Sequence, residues 1–207
     1  MSKSFIVNAI TFARLPLIFL WLAGAIAFEY TGAFVYVIFA CVSMLLSGLT
    51  DLWDGRLARR WSVVSALGKM ADPLMDKVFY LVAFPALTFL ALHRGGEDFH
   101  ALALLLFTIF YMLRDTWVTF LRSVGTMYGA DVAAMWLGKV RTALSFPGAG
   151  WIYLYCALSP FAPESWRGIW LASCYVVEGA LALLTLWSLY TYTAAYMPYL
   201  KRAIARE

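Results

Sequence analysis

The sequence predicts an all-α integral membrane protein, a bundle of six transmembrane helices with both termini in the cytoplasm. The 207 residues are 63% hydrophobic and only 14% charged. The mean hydropathy of +0.77 lies well above that of a soluble globular domain. Apolar runs long enough to cross a hydrocarbon core of about 30 Å recur along the chain. No linker, repeat or polar domain remains between them, so residues 1–207 are expected to form a single membrane domain.

Six apolar runs account for the predicted helices. Asn8, Thr11 and Arg14 interrupt the first run, so we expect it to be retained rather than cleaved as a signal peptide. Each run is close to the roughly 20 residues that a helix needs to span a bilayer. The stretches EYTG, HRGGEDFH and SPFAPESWRG are typical of turns between runs. The predicted spans are roughly 5–28, 32–52, 70–92, 99–122, 140–159 and 167–193.

The distribution of lysine and arginine predicts the orientation. With the N-terminus inside, only Arg94 and Arg167 of the 16 basic residues fall on the outer face. Cytoplasmic loops carry the excess of positive charge in membrane proteins. We therefore expect a multi-pass protein of the cell membrane whose polar chemistry lies at the cytoplasmic surface.

Four aspartates lie at the ends of the second and third predicted spans. Asp51 and Asp54 are three residues apart, and Asp72 and Asp76 are four apart, so each pair shares one face of a helix. Like charges at membrane depth are costly unless a cation lies between them. An all-oxygen set suits a hard ion such as Mg²⁺, Mn²⁺ or Ca²⁺. The alternatives are helix caps or salt-bridge partners of nearby arginines, and a path for transported cations.

The residues between the aspartates favour a substrate with a diphosphate. Gly55 has no side chain and would let a ligand approach the backbone. Ala58 is small and lies on the same helical face as Asp54, while Arg59 offers a fork of donors for phosphate oxygens. Phosphoryl chemistry at a two-metal site is the hypothesis that follows.

With its spacing, this stretch reads Asp51-x2-Asp54-Gly55-x2-Ala58-Arg59-x8-Gly68-x3-Asp72-x3-Asp76. It resembles the signature of the CDP-alcohol phosphotransferase family at every position. Eight specified residues at fixed spacing are far more specific than a lone glycine motif. The segments GKMADPLMDK, NAITFAR, RDTWVTFLR and WLGKVRT are similar to the phosphatidylglycerophosphate synthase branch of that family.

The resemblance implies roles for the motif residues. Asp51, Asp54, Asp72 and Asp76 would bind two Mg²⁺ or Mn²⁺ ions, and Asp76 would also be the general base. The CDP group would contact the remaining motif residues. Asn8, Thr11 and Arg14 form a polar stripe on the first span. One interpretation is that this stripe lines the entrance for the nucleotide or the acceptor, and the other is packing between helices. The full expected CDP-binding set is Gly55, Ala58, Arg59, Gly68, Asn8 and Thr11.

The expected reaction transfers a phosphatidyl group from CDP-diacylglycerol to glycerol 3-phosphate and releases CMP. A phosphorylated acceptor requires basic residues, for which the candidates are Arg122, Lys139 and Arg141, with Arg114 in addition. Ordinary positive-inside charge is the alternative for each. Other acceptors of the same family (inositol phosphate, inositol, phosphatidylglycerol) and, outside it, a cation transporter are the alternative functions. The family resemblance also implies a homodimer; membrane lipid is an expected partner and nucleic acid is not.

Overall fold

Six α-helices form almost all the regular structure of the residues that the computed structural model describes, which are 2–63, 65–93, 98–130 and 136–205. A short 3₁₀ segment, Ser159–Phe161, follows the fifth helix, and no strand occurs in these residues. The helices are α1 (Lys3–Thr31), α2 (Phe34–Arg60), α3 (Ala66–His93), α4 (Asp98–Met127), α5 (Trp136–Leu158) and α6 (Glu164–Ile204). The all-α prediction and the six helices are confirmed.

The helices extend beyond the predicted apolar runs because their end signals lie outside them. At the start of α1 the Ser2 side chain accepts a hydrogen bond from the Phe5 backbone N–H at 3.2 Å. At its end, Gly32 adopts φ 69° and donates its N–H to the Phe28 carbonyl. The largest difference is at α6, predicted to end near 193, which continues through polar residues to Ile204.

Five of the helices in the described part of the chain are long and apolar enough to cross a membrane, namely α1, α2, α4, α6 and, from Met70 onwards, α3. The α5 helix forms as predicted but is not among these five, because Lys139, Arg141 and other polar residues interrupt its first turns. The structure therefore confirms a multi-pass character and leaves the sixth span as a prediction.

The α2 helix buries small residues and exposes large apolar ones, which is the reverse of the distribution in soluble proteins. Its buried positions include the small residues Ala40, Ser43 and Ser47. Large apolar side chains such as Ile38 and Leu45 are exposed instead. Small residues at helix contacts and apolar residues on the outer surface are typical of membrane helices, where lipid is the solvent.

The chain forms two compact units, each described by itself. Unit 1 comprises 1–101 and 149–162, and unit 2 comprises 102–148 and 163–207. In unit 1, α1 packs on α2 and α3, and Trp21 meets Tyr153 edge-to-face with ring centroids 5.6 Å apart. In unit 2, a hydrophobic cluster joins α4 to α6 through Val118, Leu121, Tyr192 and Tyr196.

Candidate active site

The connection from α2 to α3 places the two halves of the aspartate motif side by side within unit 1. Two backbone bonds close the end of α2: Ser62 N–H donates to the Arg59 carbonyl at 3.2 Å, and Val63 N–H donates to the Ala58 carbonyl at 3.0 Å. Ser62 has φ 54°, so the pattern is a Schellman motif with serine in the position that usually favours glycine. The chain thereby turns at once, and α3 begins at Ala66.

Ser65 caps the start of α3 and connects it to α1. Its hydroxyl accepts the Gly68 backbone N–H at 2.9 Å and donates to the Asn8 side-chain oxygen at 2.9 Å. A Cβ at Gly68 would lie 3.1 Å from the Ser65 hydroxyl and 3.3 Å from the Asn8 oxygen, which is tighter than ordinary contact. A side chain at the motif glycine would therefore require Ser65 or Asn8 to shift by a few tenths of an ångström.

The four motif aspartates converge on one guanidinium. Arg14 Nη2 lies 2.5 Å from Asp51 Oδ1, 2.7 Å from Asp54 Oδ2 and 3.6 Å from Asp72 Oδ1. Arg14 Nη1 lies 3.4 Å from Asp76 Oδ1. We call these five residues the carboxylate cluster. It holds four carboxylates and a single guanidinium, so negative charge is in excess within it.

Asp54 is the anchored member of the carboxylate cluster. Its side chain is 3% exposed, whereas those of Asp51, Asp72 and Asp76 are 51%, 50% and 41% exposed. The Thr11 hydroxyl also donates to Asp54 Oδ2, at 2.8 Å. Asp54 is therefore fixed from α1 by two donors, while the other three carboxylates keep an open side that can receive a ligand.

The donor set fits a hard divalent cation. Mg²⁺ and Mn²⁺ prefer oxygen ligands, and carboxylates that surround one point in excess of their counter-charge supply them. Within the described residues no set of three or more Asp, Glu, His or Cys side chains already stands in metal-binding geometry. In the carboxylate cluster, the Arg14 guanidinium lies between the carboxylate oxygens, in the place that a metal ion would need. The chemistry of the site suits the ions, and in this conformation Arg14 is the cation that contacts the four carboxylates.

The remaining motif residues line the last turns of α2. Arg59 is exposed. Its guanidinium lies beside Gly55, which precedes it by one helical turn. A Cβ added to Gly55 would lie 3.6 Å from Arg59 Nη1. Ala58 is half-buried. Gly55 would therefore tolerate a small side chain in this conformation, and the Arg59 guanidinium fills the space beside it.

A second charged group lies in unit 2 and is formed by Arg114, Asp115 and Arg141, which we call the arginine cluster. Asp115 Oδ1 accepts hydrogen bonds from Arg114 Nη1 at 2.9 Å and from Arg141 Nη2. The Arg141 guanidinium also lies over the Tyr111 ring, 4.0 Å from its centroid. The Arg114 guanidinium lies 5.1 Å from the centroid of Tyr192.

The arginine cluster has more donors than partners. Both arginine side chains are about nine-tenths buried or more. Three of their buried nitrogens, Arg114 Nε, Arg141 Nε and Arg141 Nη1, have no hydrogen-bond partner among the described residues. One carboxylate facing two guanidiniums leaves positive charge in excess. Buried cationic donors without a hydrogen-bond partner are energetically costly, and they favour the binding of an anion.

Comparison with known proteins places the chain in a family. The sequence model of the CDP-alcohol phosphatidyltransferases matches residues 5–187. The chain belongs to the CDP-alcohol phosphatidyltransferase family. The family recognised from the aspartate motif is thus confirmed, and the protein is an enzyme of phosphatidyl transfer.

Two relatives of this phosphatidyltransferase are named CDP-diacylglycerol–glycerol-3-phosphate 3-phosphatidyltransferase. The protein of Shigella flexneri serotype 5b (strain 8401) is 28% identical over 159 residues, which cover 75% of this chain and 77% of the relative. That of Escherichia coli (strain K12) is 28% identical over 158 residues, with the same coverage. The similarity to the branch predicted from the sequence is confirmed.

Two members of the predicted acceptor set, Arg114 and Arg141, lie together in the phosphatidyltransferase. Arg114 and Arg141 meet at Asp115. Arg122 lies two turns beyond Arg114 on α4, roughly 12 Å along the helix axis. Lys139 lies in α5, but its side chain is outside the described residues.

Three contributions to these sites were missed by sequence reasoning. Ser65 caps α3 beside the motif, and a serine three residues before Gly68 was an available signal. Asp115 pairs with both Arg114 and Arg141. The pair with Arg114 could have been suspected because the two residues are adjacent in sequence, but the pair with Arg141 could not. Arg14 was recognised as part of a polar stripe with Asn8 and Thr11, but its position between the four aspartates was not predicted, because that position depends on how α1 packs against α2 and α3.

Proposed function

We propose that this phosphatidyltransferase makes phosphatidylglycerophosphate and CMP from CDP-diacylglycerol and glycerol 3-phosphate. The observation that carries the proposal is the convergence of Asp51, Asp54, Asp72 and Asp76, from two helices, on one point of unit 1. The names of the relatives support the choice of donor and acceptor.

The four aspartates would hold two Mg²⁺ or Mn²⁺ ions. When bound, such ions neutralise the diphosphate of the donor and stabilise charge on the phosphoryl group in transfer. Asp54 would be the fixed ligand, because the Thr11 hydroxyl orients its carboxylate from α1. The more exposed Asp51 and Asp72 can turn with little disturbance of the packed helices.

Asp76 would act as the general base. Its side chain lies one turn after Asp72, is 41% exposed, and contacts Arg14 at a long 3.4 Å, so one face of the carboxylate is accessible to an acceptor hydroxyl. The base takes the hydroxyl proton, the alcohol oxygen forms a bond to the phosphorus that carries the lipid, and the bond from that phosphorus to CMP breaks. The proton thus passes to Asp76 and the leaving group is CMP.

The CDP group would lie against the last turns of α2 and the start of α3. Gly55, Ala58 and Arg59 would be its contacts on α2, where the exposed Arg59 would supply donors for phosphate oxygens. Gly68 and Asn8 would contribute through the face held together by Ser65. Thr11 would act indirectly, since its hydroxyl is already donated to Asp54.

The arginine cluster would bind the phosphate of the acceptor. Its two buried guanidiniums share one carboxylate and retain unpartnered N–H groups, which supports an anionic acceptor over inositol or another uncharged alcohol. Arg122 and Lys139 would add positive charge on the same predicted side of the membrane. Inositol phosphate, which also carries a phosphate, is the second candidate acceptor on this observation.

The enzyme would span the cell membrane six times and work at its cytoplasmic side as a homodimer. The bias of lysine and arginine supports this orientation. The α5 helix would be the sixth span, with its polar first turns facing the protein interior, as the burial of Arg141 and Ser145 supports. The acyl chains of the donor would then remain in lipid while its head group reaches the aspartates.

The test is CMP release by the purified protein in detergent. The protein receives CDP-diacylglycerol with Mg²⁺ or Mn²⁺ and, separately, glycerol 3-phosphate, inositol phosphate, inositol, serine or phosphatidylglycerol. Release that requires glycerol 3-phosphate is the expected result. Release with a different acceptor would overturn the proposed product while keeping the reaction class.

Two variants test the assigned roles. Asp76→Asn keeps the shape of the side chain but removes the base, so CMP release should fall by about 10²- to 10⁴-fold.

Arg141→Gln should raise the KM for glycerol 3-phosphate roughly tenfold or more with little change for the lipid donor, because it loses a charge-assisted bond of about 1.5–3 kcal/mol. Arg202→Gln on α6 is the matched control, since Arg202 is exposed and lies over Tyr199. An equal effect of Arg141→Gln on both KM values would contradict the phosphate-binding role.

A further inference from the structure

Arg14 occupies the point in the carboxylate cluster where a bound cation would be expected. One of its nitrogens, Nη2, is within 3.6 Å of carboxylate oxygens of Asp51, Asp54 and Asp72, and the other, Nη1, is 3.4 Å from Asp76. The Arg14 side chain is 4% exposed. A guanidinium that contacts four carboxylates in a buried position is the counter-cation of the cluster.

The same oxygens would have to serve a metal ion. Mg²⁺ binds carboxylate oxygens at about 2.1 Å. Because Asp51 Oδ1 is 2.5 Å from Arg14 Nη2, an ion bound to that oxygen in this conformation would lie no more than about 4.6 Å from the nitrogen. Two cations at that separation repel each other. They would also share the Asp54 oxygen, which already accepts from Thr11 and Arg14.

We propose that Arg14 and the divalent cations compete for the four aspartates. Without metal, Arg14 holds α1 against α2 and α3 through the carboxylates; when ions bind, its guanidinium withdraws from them. This inference rests on the metal-binding part of the proposed function and adds a role for a residue outside the family motif.

The competition has two measurable consequences. The apparent metal affinity is reduced by the fraction of molecules in which the carboxylates are released from Arg14. If that fraction is about one tenth, removal of the guanidinium should tighten metal binding about tenfold. The metal-free protein should at the same time lose stability, and bound metal should restore more of it than in the wild type.

The experiment uses the full chain in detergent, stripped of metal with a chelator, and Mn²⁺ alone as the probe. Mn²⁺ binding is followed by electron paramagnetic resonance, and unfolding temperature is measured with and without Mn²⁺. The proteins are the wild type, Arg14→Gln, Arg14→Lys and the control Arg56→Gln, which removes an exposed arginine two residues after Asp54. We expect the dissociation constant for Mn²⁺ to fall about tenfold in Arg14→Gln, less in Arg14→Lys, and by under twofold in Arg56→Gln.

The outcomes separate this inference from the proposed function. If the wild type binds Mn²⁺ and releases CMP but both Arg14 variants bind Mn²⁺ no more tightly, the competition is refuted and the proposed function stands. If the folded wild type and Arg14→Gln both bind no Mn²⁺, the metal site of the proposed function fails and the competition fails with it. If Arg14→Gln cannot be purified without Mn²⁺, the measurement on Arg14→Lys decides.

Discussion

Asp115 should be one of the most sensitive positions of unit 2, and Asp115→Asn tests why. The carboxylate accepts from Arg114 at 2.9 Å and from Arg141, and both guanidiniums are buried. Asparagine keeps the size of the side chain but has no charge, and its one oxygen cannot neutralise either cation. The variant would leave two positive groups facing each other across a neutral amide.

The size of the loss follows from the burial of the pair. Breaking a buried ion pair by removing one partner costs about 3–5 kcal/mol. The Asp115 side chain is 21% exposed, so water compensates part of this, and we take the lower end, about 3 kcal/mol. For a chain of this size each kcal/mol lowers the unfolding temperature by about 2–4 °C. The expected decrease is roughly 6–12 °C.

The assay is thermal unfolding of the purified variant in the same detergent as the wild type. Asp98→Asn is the matched control, because Asp98 is an exposed aspartate in the first turn of the same helix. It should lose only the helix-dipole contribution of about 0.3–1 kcal/mol. The double variant Asp115→Asn/Arg141→Met should unfold at a higher temperature than Asp115→Asn alone, since it removes one unpaired cation. A decrease for Asp115→Asn no larger than that for Asp98→Asn would refute the reasoning.

Three further predictions concern unit 1. Thr11→Val removes the hydroxyl that donates to Asp54 at 2.8 Å, so the free energy of unfolding should fall by about 1.5–3 kcal/mol; chemical denaturation measures this, and no change would show that the contact contributes nothing. Ser62→Gly relieves a left-handed conformation at φ 54° that costs a side-chain-bearing residue about 1–2 kcal/mol, so the variant should unfold at an equal or slightly higher temperature, whereas Ser62→Val should unfold lower. Gly68→Ala places a methyl 3.1 Å from the Ser65 hydroxyl, so stability should fall by about 1–3 kcal/mol; Gly55→Ala, whose new methyl has ordinary contacts, is its control and should be nearly neutral in the same unfolding assay.

The helices were predictable because composition and run length determine them. Six apolar runs predicted six helices, because a segment in lipid must satisfy its own backbone hydrogen bonds, and the described residues form six helices. Their ends were harder to predict, because caps and connections determine them. The α2 helix was predicted to end near residue 52 and continues to Arg60, since a Schellman motif with a serine in place of the usual glycine gives no clear stop signal.

The candidate site was predictable where it is local in sequence. The spacings of Asp51 with Asp54 and of Asp72 with Asp76 place each pair on one helical face, and one turn joins the two helices. The partners from distant segments were not predictable. Arg14 reaches Asp76 across 62 residues of chain, and Arg141 reaches Asp115 across 26. Such pairings depend on helix packing, which hydropathy and spacing do not determine.

The two charged clusters have opposite imbalances. The carboxylate cluster sets four acids against Arg14, and the arginine cluster sets two arginines against Asp115. In the arginine cluster, whose two guanidiniums are buried, unpaired charge costs several kcal/mol unless an anion completes it. An excess of carboxylates is completed by cations, and an excess of guanidiniums is completed by an anion. A reaction that transfers a phosphatidyl group from a metal-bound diphosphate to a phosphorylated alcohol, with release of CMP, uses both kinds of ligand, and the imbalance of each cluster therefore supports the proposed pair of substrates.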